Sequence, residues 1–281
     1  MEKWLVISAC QTVGLANCIQ SLVPDVLVTG IDFAQFNSDP KRFGNEMSSY
    51  SKLFINPGVS DLLPADEIDK IADHVAAPAV FFRAYHPDLV YLERDGKVLL
   101  GPLGDYHSAI AYACYMNGMS ISDTLRHFNG SFYERCGYMS IWVSERDRLI
   151  REMADSGIDI ADPIRRWGRD HPFMHSSNHP RIHALHDVAK ELVRMQGRTP
   201  ISGGIIPHDN LQLAPHFAIY PEIGEELGVE GSYIFKNDTY RPIDLNEFII
   251  KSFEVYDSDP RNPIVPHPHY KSYVDSVSKH L

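Results

Sequence analysis

The side chains best able to do chemistry fall in five short segments. Ser8-Ala9-Cys10-Gln11-Thr12 stands where an apolar run gives way to a helical pattern. A cysteine at a helix N-terminus has its thiolate stabilised by free backbone N–H groups and the helix dipole. Cys10 there reads either as an activated nucleophile or as a buried structural thiol. Gln11 and the adjoining backbone could cradle an oxyanion or a phosphate. Arg83-Ala84-Tyr85-His86-Pro87-Asp88 puts an imidazole and a carboxylate two residues apart. That suits a general base with an orienting acid, or a turn in which Asp88 makes a local cap. In Gly104-Asp105-Tyr106-His107, Asp105 reads as a helix N-cap. His107 then falls in the first turn, where the dipole disfavours protonation and leaves a neutral imidazole. His175-Ser176-Ser177-Asn178-His179-Pro180 gathers two imidazoles, two hydroxyls and an amide at a helix start, more than one cap needs. Pro180 suits a first turn, which makes Asn178 or His179 the cap. Just upstream, Arg165, Arg166 and Arg169 form a cationic cluster that either binds phosphates of a ligand or is a solvated helix face.

His171, His175 and His179 are spaced by four, as in a helical metal site. Pro172 and Pro180 interrupt the helix such a site needs, and no His-Glu-x-x-His occurs, so no metal is expected. Cys10, Cys18, Cys114 and Cys136 form no CxxC pair. Without a secretory signal they read as reduced thiols of a cytoplasmic protein.

These segments need elements to hold them. Trp4 to Ala9, Asp25 to Ile31, Leu53 to Asn56 and Ala79 to Phe82 read as strands, and Thr12 to Leu22 and Asp66 to His74 as helices. Leu89 to Leu92 and Val98 to Leu100 flank Asp95-Gly96, a hairpin signature. Helical patterns dominate from Asp105 to about Gln196: Tyr106 to Met116, a helix capped by Ser122, Ser144 to Ala154, a short helix opened by Asp162-Pro163, and Pro180 to Met195. The stripe Ile182, Leu185, Val188, Ala189, Leu192, Val193 makes the last of these the strongest. Pro221 to Leu227 and Leu245 to Val255 follow. The last 25 residues carry four prolines and read as a packed arm or a loose tail. The order predicts an α/β fold, a mostly parallel sheet from the N-terminal part covered and extended by a largely helical second half. It is expected as one domain over 1–281, strand-rich to about 104, helical to about 200 and irregular beyond.

Composition sets the outer limits. The chain has 281 residues, 26 basic against 37 acidic side chains and a formal net charge of −11, with 44% hydrophobic and 22% charged residues. That is ordinary for a soluble globular protein with a substantial core. No run approaches the roughly 18 apolar residues of a membrane span. The acidic balance argues against nucleic acid as a partner.

Taken in order, these segments resemble the WcbI-type polysaccharide biosynthesis enzymes of bacterial capsule clusters. Members begin with a strand ending in Asn-Cys-Gln, here Ala9-Cys10-Gln11. They continue with a segment like Phe82 to Asp88, an aspartate and histidine like Asp105 and His107, and a His-x-x-Asn-His-Pro segment, here His175 to Pro180. Ala218-Ile219-Tyr220-Pro221 with Leu227-Gly228 also fits, so the resemblance runs from about residue 3 to 255. It departs at Ala9, which replaces an asparagine and moves any oxyanion role of that amide elsewhere, for instance to Asn178.

The resemblance implies coenzyme A binding and O-acetylation of a capsular sugar, with acetyl-coenzyme A as co-substrate and a sugar or nucleotide sugar as acceptor. A homodimer is compatible with it. Either His179 or His107 deprotonates the sugar hydroxyl for direct attack, or Cys10 carries the acetyl group first. Gln11, Asn178, His175, His86 and Asp88 then fall to substrate and oxyanion binding, and Arg165, Arg166 and Arg169 to the cofactor. The rival readings are a glycan O-acetyl esterase similar to SGNH-type hydrolases, although Ser176 stands where those have an aspartate, and a non-catalytic binding protein.

Overall fold

The computed structural model describes residues 1–60, 62, 73–169, 171–203, 205–237 and 241–281, the side chains at 40, 41, 44, 45 and 60 aside. The fold is mixed α/β, with a parallel four-stranded sheet in the N-terminal part and a largely helical remainder. The chain divides into two compact units. The first takes residues 1–81 and 146–212, the second 82–145 and 213–281.

The first unit is built on β1 (Glu2–Ser8), β2 (Val26–Asp32), β3 (Lys52–Ile55) and β4 (His74–Ala76), all parallel in the order β2-β1-β3-β4. Trp4, Leu5, Val6 and Ile7 of β1 are all buried, as a central parallel strand covered on both faces requires. Alternation sends Leu5 and Ile7 to one face, where they pack with Ile31, Leu53, Ile55, Phe36, Phe43 and Met47. The helix α1 (Thr12–Leu22) packs against β1, β2 and the helix Ile182–Met195. Gly14 makes this approach possible. A Cβ there would lie 2.9 Å from Leu185 Cδ1 and 3.0 Å from Asn210 Oδ1.

From β1 the chain passes first to β2 on one side and then to β3 on the other. The topological switch point therefore lies between β1 and β3, and in open α/β sheets ligands bind outside the carboxyl ends of the strands at such a point. Ser8-Ala9-Cys10-Gln11 leaves the sheet there.

The second unit is mostly helical, with the helices Ala109–Met116, Ile121–Leu125, Gly130–Arg135, Pro221–Leu227, Leu245–Asp257 and Lys271–Ser278 around short antiparallel ladders. The hairpin at Asp95-Gly96 forms between Leu92–Arg94 and Lys97–Val98, with φ of 53° and 68° at the turn. The C-terminal segment is a packed arm. Ile264–Pro266 pairs with Leu92–Arg94, and the helix Lys271–Ser278 lies against Ala109–Met116 with Val274 and Val277 buried.

Several expected boundaries move. Ala79 to Phe82 joins no ladder; Val80 pairs instead with the Gln11 side chain. The expected helix from Tyr106 begins at Ala109, because Leu89–Val90 takes His107–Ser108 into an antiparallel pair. Its cap is therefore Ser108, not Asp105, and His107 lies outside the helix. The next helix is capped by Ser120 rather than Ser122. Pro180 also stays out of its helix. It pairs with Met174, and Arg181 is the N-cap. Of the expected helix Asp66 to His74, His74 opens β4, 73 has no regular structure, and the rest lies outside the described residues.

Among the described residues no helix is long and apolar enough to cross a membrane.

Candidate functional site

The loop after β1 is held from two sides. Its first anchor is the Gln11 side chain, which is buried. Oε1 accepts from Val80 N at 3.0 Å, and Nε2 donates to Val80 O and to Asn178 O, both at 2.8 Å. A primary amide has two N–H donors, so this one is fully committed. Gln11 ties the loop after β4 and the 174–180 segment to the end of β1. In this arrangement its side chain holds backbone groups of both segments. Although Gln11 is the N-cap of α1, it makes no side-chain cap bond, and the first turn of α1 carries no acidic side chain. The Thr12 N–H donates to Ala9 O at 3.0 Å, and the positive end of the helix dipole lies beside Cys10.

Asn178 meets Cys10 twice. The Cys10 thiol donates to Asn178 O at 3.7 Å, and Asn178 Nδ2 donates to Sγ at 3.8 Å. The second contact favours a thiolate, because an N–H donor stabilises negative sulfur. Cys10 is half-buried, whereas burial pushes the thiols of Cys18, Cys114 and Cys136 up to about 12, 11 and 12. Those three remain protonated at neutral pH.

Asn178 lies between two short antiparallel strands, Met174–Ser176 and His179–Pro180, with His179 opposite Ser176 and a register shift after it. The Ser176 hydroxyl donates to Asn178 Oδ1 at 3.3 Å. His179 is buried. Loss of hydration and the nearby His175 push its ring down to about 4, so at neutral pH it is an uncharged imidazole able to accept a proton. His175 is buried as well, and its Nε2 lies 2.9 Å from Asp209 Oδ2.

Two polar residues here were not singled out from the sequence. Asn56 follows β3 and donates from Nδ2 to Ser8 Oγ at 3.2 Å, bridging the switch point. Its signal was its place between an apolar run and Pro57-Gly58. Asp209 comes from the loop after Ile182–Met195, and only the polar trio His208-Asp209-Asn210 pointed to it.

The structure thus joins Cys10, Gln11 and Asn178 by hydrogen bonds, with His179 next in the chain and His175 on the paired strand. Arg165, Arg166 and Arg169 are exposed on the same unit. Arg165 pairs with Asp162, and Arg166 lies 3.9 Å from Asp187.

His86, Asp88 and His107 belong to the second unit's core. Asp88 Oδ1 accepts from Tyr138 OH and from Ile110 N, both at 2.9 Å, and Oδ2 accepts from Tyr220 OH at 2.6 Å. The carboxylate serves the start of Ala109–Met116 and two tyrosines. Burial nonetheless raises its carboxyl to about 6. His86 is buried edge-on to Tyr85 and Phe217. His107 is fully enclosed, with Nε2 2.8 Å from Leu99 O and Nδ1 3.2 Å from Tyr256 OH. Its two ring nitrogens join the strand hairpin to Leu245–Asp257. Among the described residues, no cluster of three or more histidines, cysteines or carboxylates is placed to hold a metal.

A search of curated proteins finds no match. A solved structure described as WcbI, a novel polysaccharide biosynthesis enzyme, is similar over 99% of this chain and 94% of its own, with a TM-score of 0.71 and 16% identity. It is further described as native protein without a disulfide bond between coenzyme A and one of its cysteines. The sequence pattern of the family described as polysaccharide biosynthesis enzyme WcbI matches residues 3–200. The chain therefore belongs to the WcbI family of polysaccharide biosynthesis enzymes.

Proposed function

We propose that this protein is a coenzyme A-dependent O-acyltransferase. It moves an acetyl group from acetyl-coenzyme A to a sugar hydroxyl in the making of a bacterial capsule or exopolysaccharide. The observation that carries this reading is the setting of Cys10. It is the half-open thiol at the sheet's switch point, beside a helix N-terminus without a side-chain cap and held by Asn178. The similar structure is described by reference to coenzyme A and a cysteine, which supports the same pairing here.

The steps balance as two acyl transfers. His179 takes the Cys10 proton, and Sγ attacks the thioester carbonyl. The new C–S bond forms, the bond to coenzyme A breaks, and the coenzyme A thiolate leaves with the proton. His179, neutral again, then takes the proton of a sugar hydroxyl whose oxygen attacks the Cys10 thioester. The ester forms and Cys10 leaves as thiolate, which the α1 N-terminus and Asn178 Nδ2 stabilise until it takes the proton back from His179. The backbone N–H groups of Cys10 and Gln11 are assigned to the developing oxyanion in both halves. The enclosed His107 and the surface arginines are not needed.

Wild-type protein incubated with acetyl-coenzyme A is expected to gain one acetyl group on Cys10 by peptide mass mapping. Acetyl transfer to nucleotide sugars is expected to be lost in Cys10→Ala and in His179→Ala. Full transfer in both variants overturns the assignment. Acetate release from model esters without coenzyme A replaces it with the esterase reading, since water then serves as acceptor at the same residues.

A further inference from the structure

The two strands that carry His175 and His179 form a ladder of five residues, broken by a register shift after His179. So short a pair does not hold itself in water. The helix that follows starts without a side-chain cap from its own N-cap residue, Arg181. Both deficits are met by one atom. Asp209 Oδ2 accepts from His175 Nε2 at 2.9 Å and from Ile182 N, the first residue of that helix, at 3.1 Å. The His175 side chain is 3% exposed and that of Asp209 16%, so the pair is well shielded from solvent.

We propose that Asp209 is a positioning residue for the transfer reaction: it locks the His175 ring to the start of Ile182–Met195 and so fixes the place and the electrostatic surroundings of His179. This rests on the reading of His179 as the base.

The electrostatics follow from the same geometry. Burial would raise the Asp209 carboxyl. The hydrogen bond and charge of His175, with the N–H groups of Ile182 and Gln212, outweigh burial and hold the carboxyl below its usual range. Asp209 is therefore ionised at neutral pH. Two charges act on the His179 ring besides burial. His175 on the paired strand lowers its proton affinity, and Asp209 raises it. Cys10 at the end of β1 reaches the same short ladder through Asn178. Removing the Asp209 charge leaves His179 opposed by His175 alone, and a less basic imidazole is a slower general base.

The test uses Asp209→Asn, which keeps an oxygen for the Ile182 N–H and removes the charge. His175 and His179 are titrated by imidazole NMR, which needs no substrate. In Asp209→Asn, His179 is expected to titrate at lower pH than in wild type. In His175→Gln it is expected to titrate at higher pH. The opposite signs are what a purely structural role would not produce. In the transfer assay, Asp209→Asn is expected to lower kcat by about tenfold to a hundredfold with little change in KM for the acyl donor. The acid limb of kcat/KM should move to lower pH. An unmoved His179 titration in a folded Asp209→Asn overturns the proposal. If that variant does not fold, an unmoved or lowered His179 titration in His175→Gln does so. Loss of the transferase reading would show instead as full transfer in Cys10→Ala and His179→Ala, whatever the titrations give.

Discussion

The two units bury the same kinds of polar residue and put them to opposite ends. In the second unit Asp88 is wholly enclosed and accepts from Tyr138, Tyr220 and Ile110, while His107 is clasped between Leu99 and Tyr256. In the first unit Cys10 is half-open, Gln11 and Asn178 hold it at a sheet end, and His179 stands uncharged nearby. A closed, fully bonded network stiffens a core. A half-open thiol on a rigid platform keeps room for a reacting partner. The type of residue does not separate the two cases. What separates them is how far each group is closed off from a ligand.

Substitutions can break this contrast. The largest effect is expected at Cys10: Cys10→Ala should cut acetyl transfer by roughly a thousandfold or more, as loss of a nucleophile does, while its melting temperature stays near that of wild type. Asp88→Ala should do the reverse and destabilise the second unit. It leaves two tyrosine hydroxyls and a helix N–H unpartnered, at about 1–3 kcal/mol each, so roughly 3 kcal/mol or more should be lost in denaturant unfolding. A stable Asp88→Ala without transfer would make Asp88 a functional residue and dissolve the contrast.

Gln11→Ala should fall between the two. It loses three buried hydrogen bonds, which costs about 2–3 kcal/mol. Hydrogen exchange should quicken at residues 77–81 and 174–180, and transfer should slow because the platform loosens.

The smallest and sharpest test is pH. Burial lowers the rings of His179, His183 and His186 in the first unit. Each ring resists protonation when folded, so that unit should lose stability as pH falls below about 6.5. In the second unit His107 and His127 act likewise, the His107 ring being pushed down to about 4. Asp88, raised to about 6, acts oppositely: its contribution is full below about 4 and is lost as pH rises through 6. Between pH 4 and 6 Asp88 and His107 nearly cancel. Exchange measured by segment should show the first unit opening on mild acidification and the second holding. Replacing His107 with Gln should remove the stronger acid-labile member and make the second unit more stable at pH 4 than at pH 6, relative to wild type.

Much of the first unit was legible. Four apolar residues in a row at Trp4 to Ile7 announce a buried parallel strand, and the helix Thr12–Leu22 has the bounds its pattern predicts. Cys10 at their junction follows directly. Less legible was anything that depends on a partner far along the chain. Val80 forms no ladder because the Gln11 amide, 69 residues away, takes its N–H and C=O. His107 reads as a first-turn residue until Val90 claims it for a strand pair. Asp209 reads as a loop carboxylate until the fold sets it against His175.

By itself, then, the sequence determined the α/β class, the strand–helix junction at Cys10 and the ordered segments that mark the family. These depend on periodicity and on neighbours within a few residues. Only the tertiary structure decided which histidines lie on the same unit as Cys10. It placed His175 and His179 in the first unit and enclosed His107, His86 and Asp88 in the core of the second. The physical reason is that a polar side chain takes its role from the atoms that share its burial. For these residues those atoms are contributed by segments up to about 170 residues distant, as for Cys10 and Asn178.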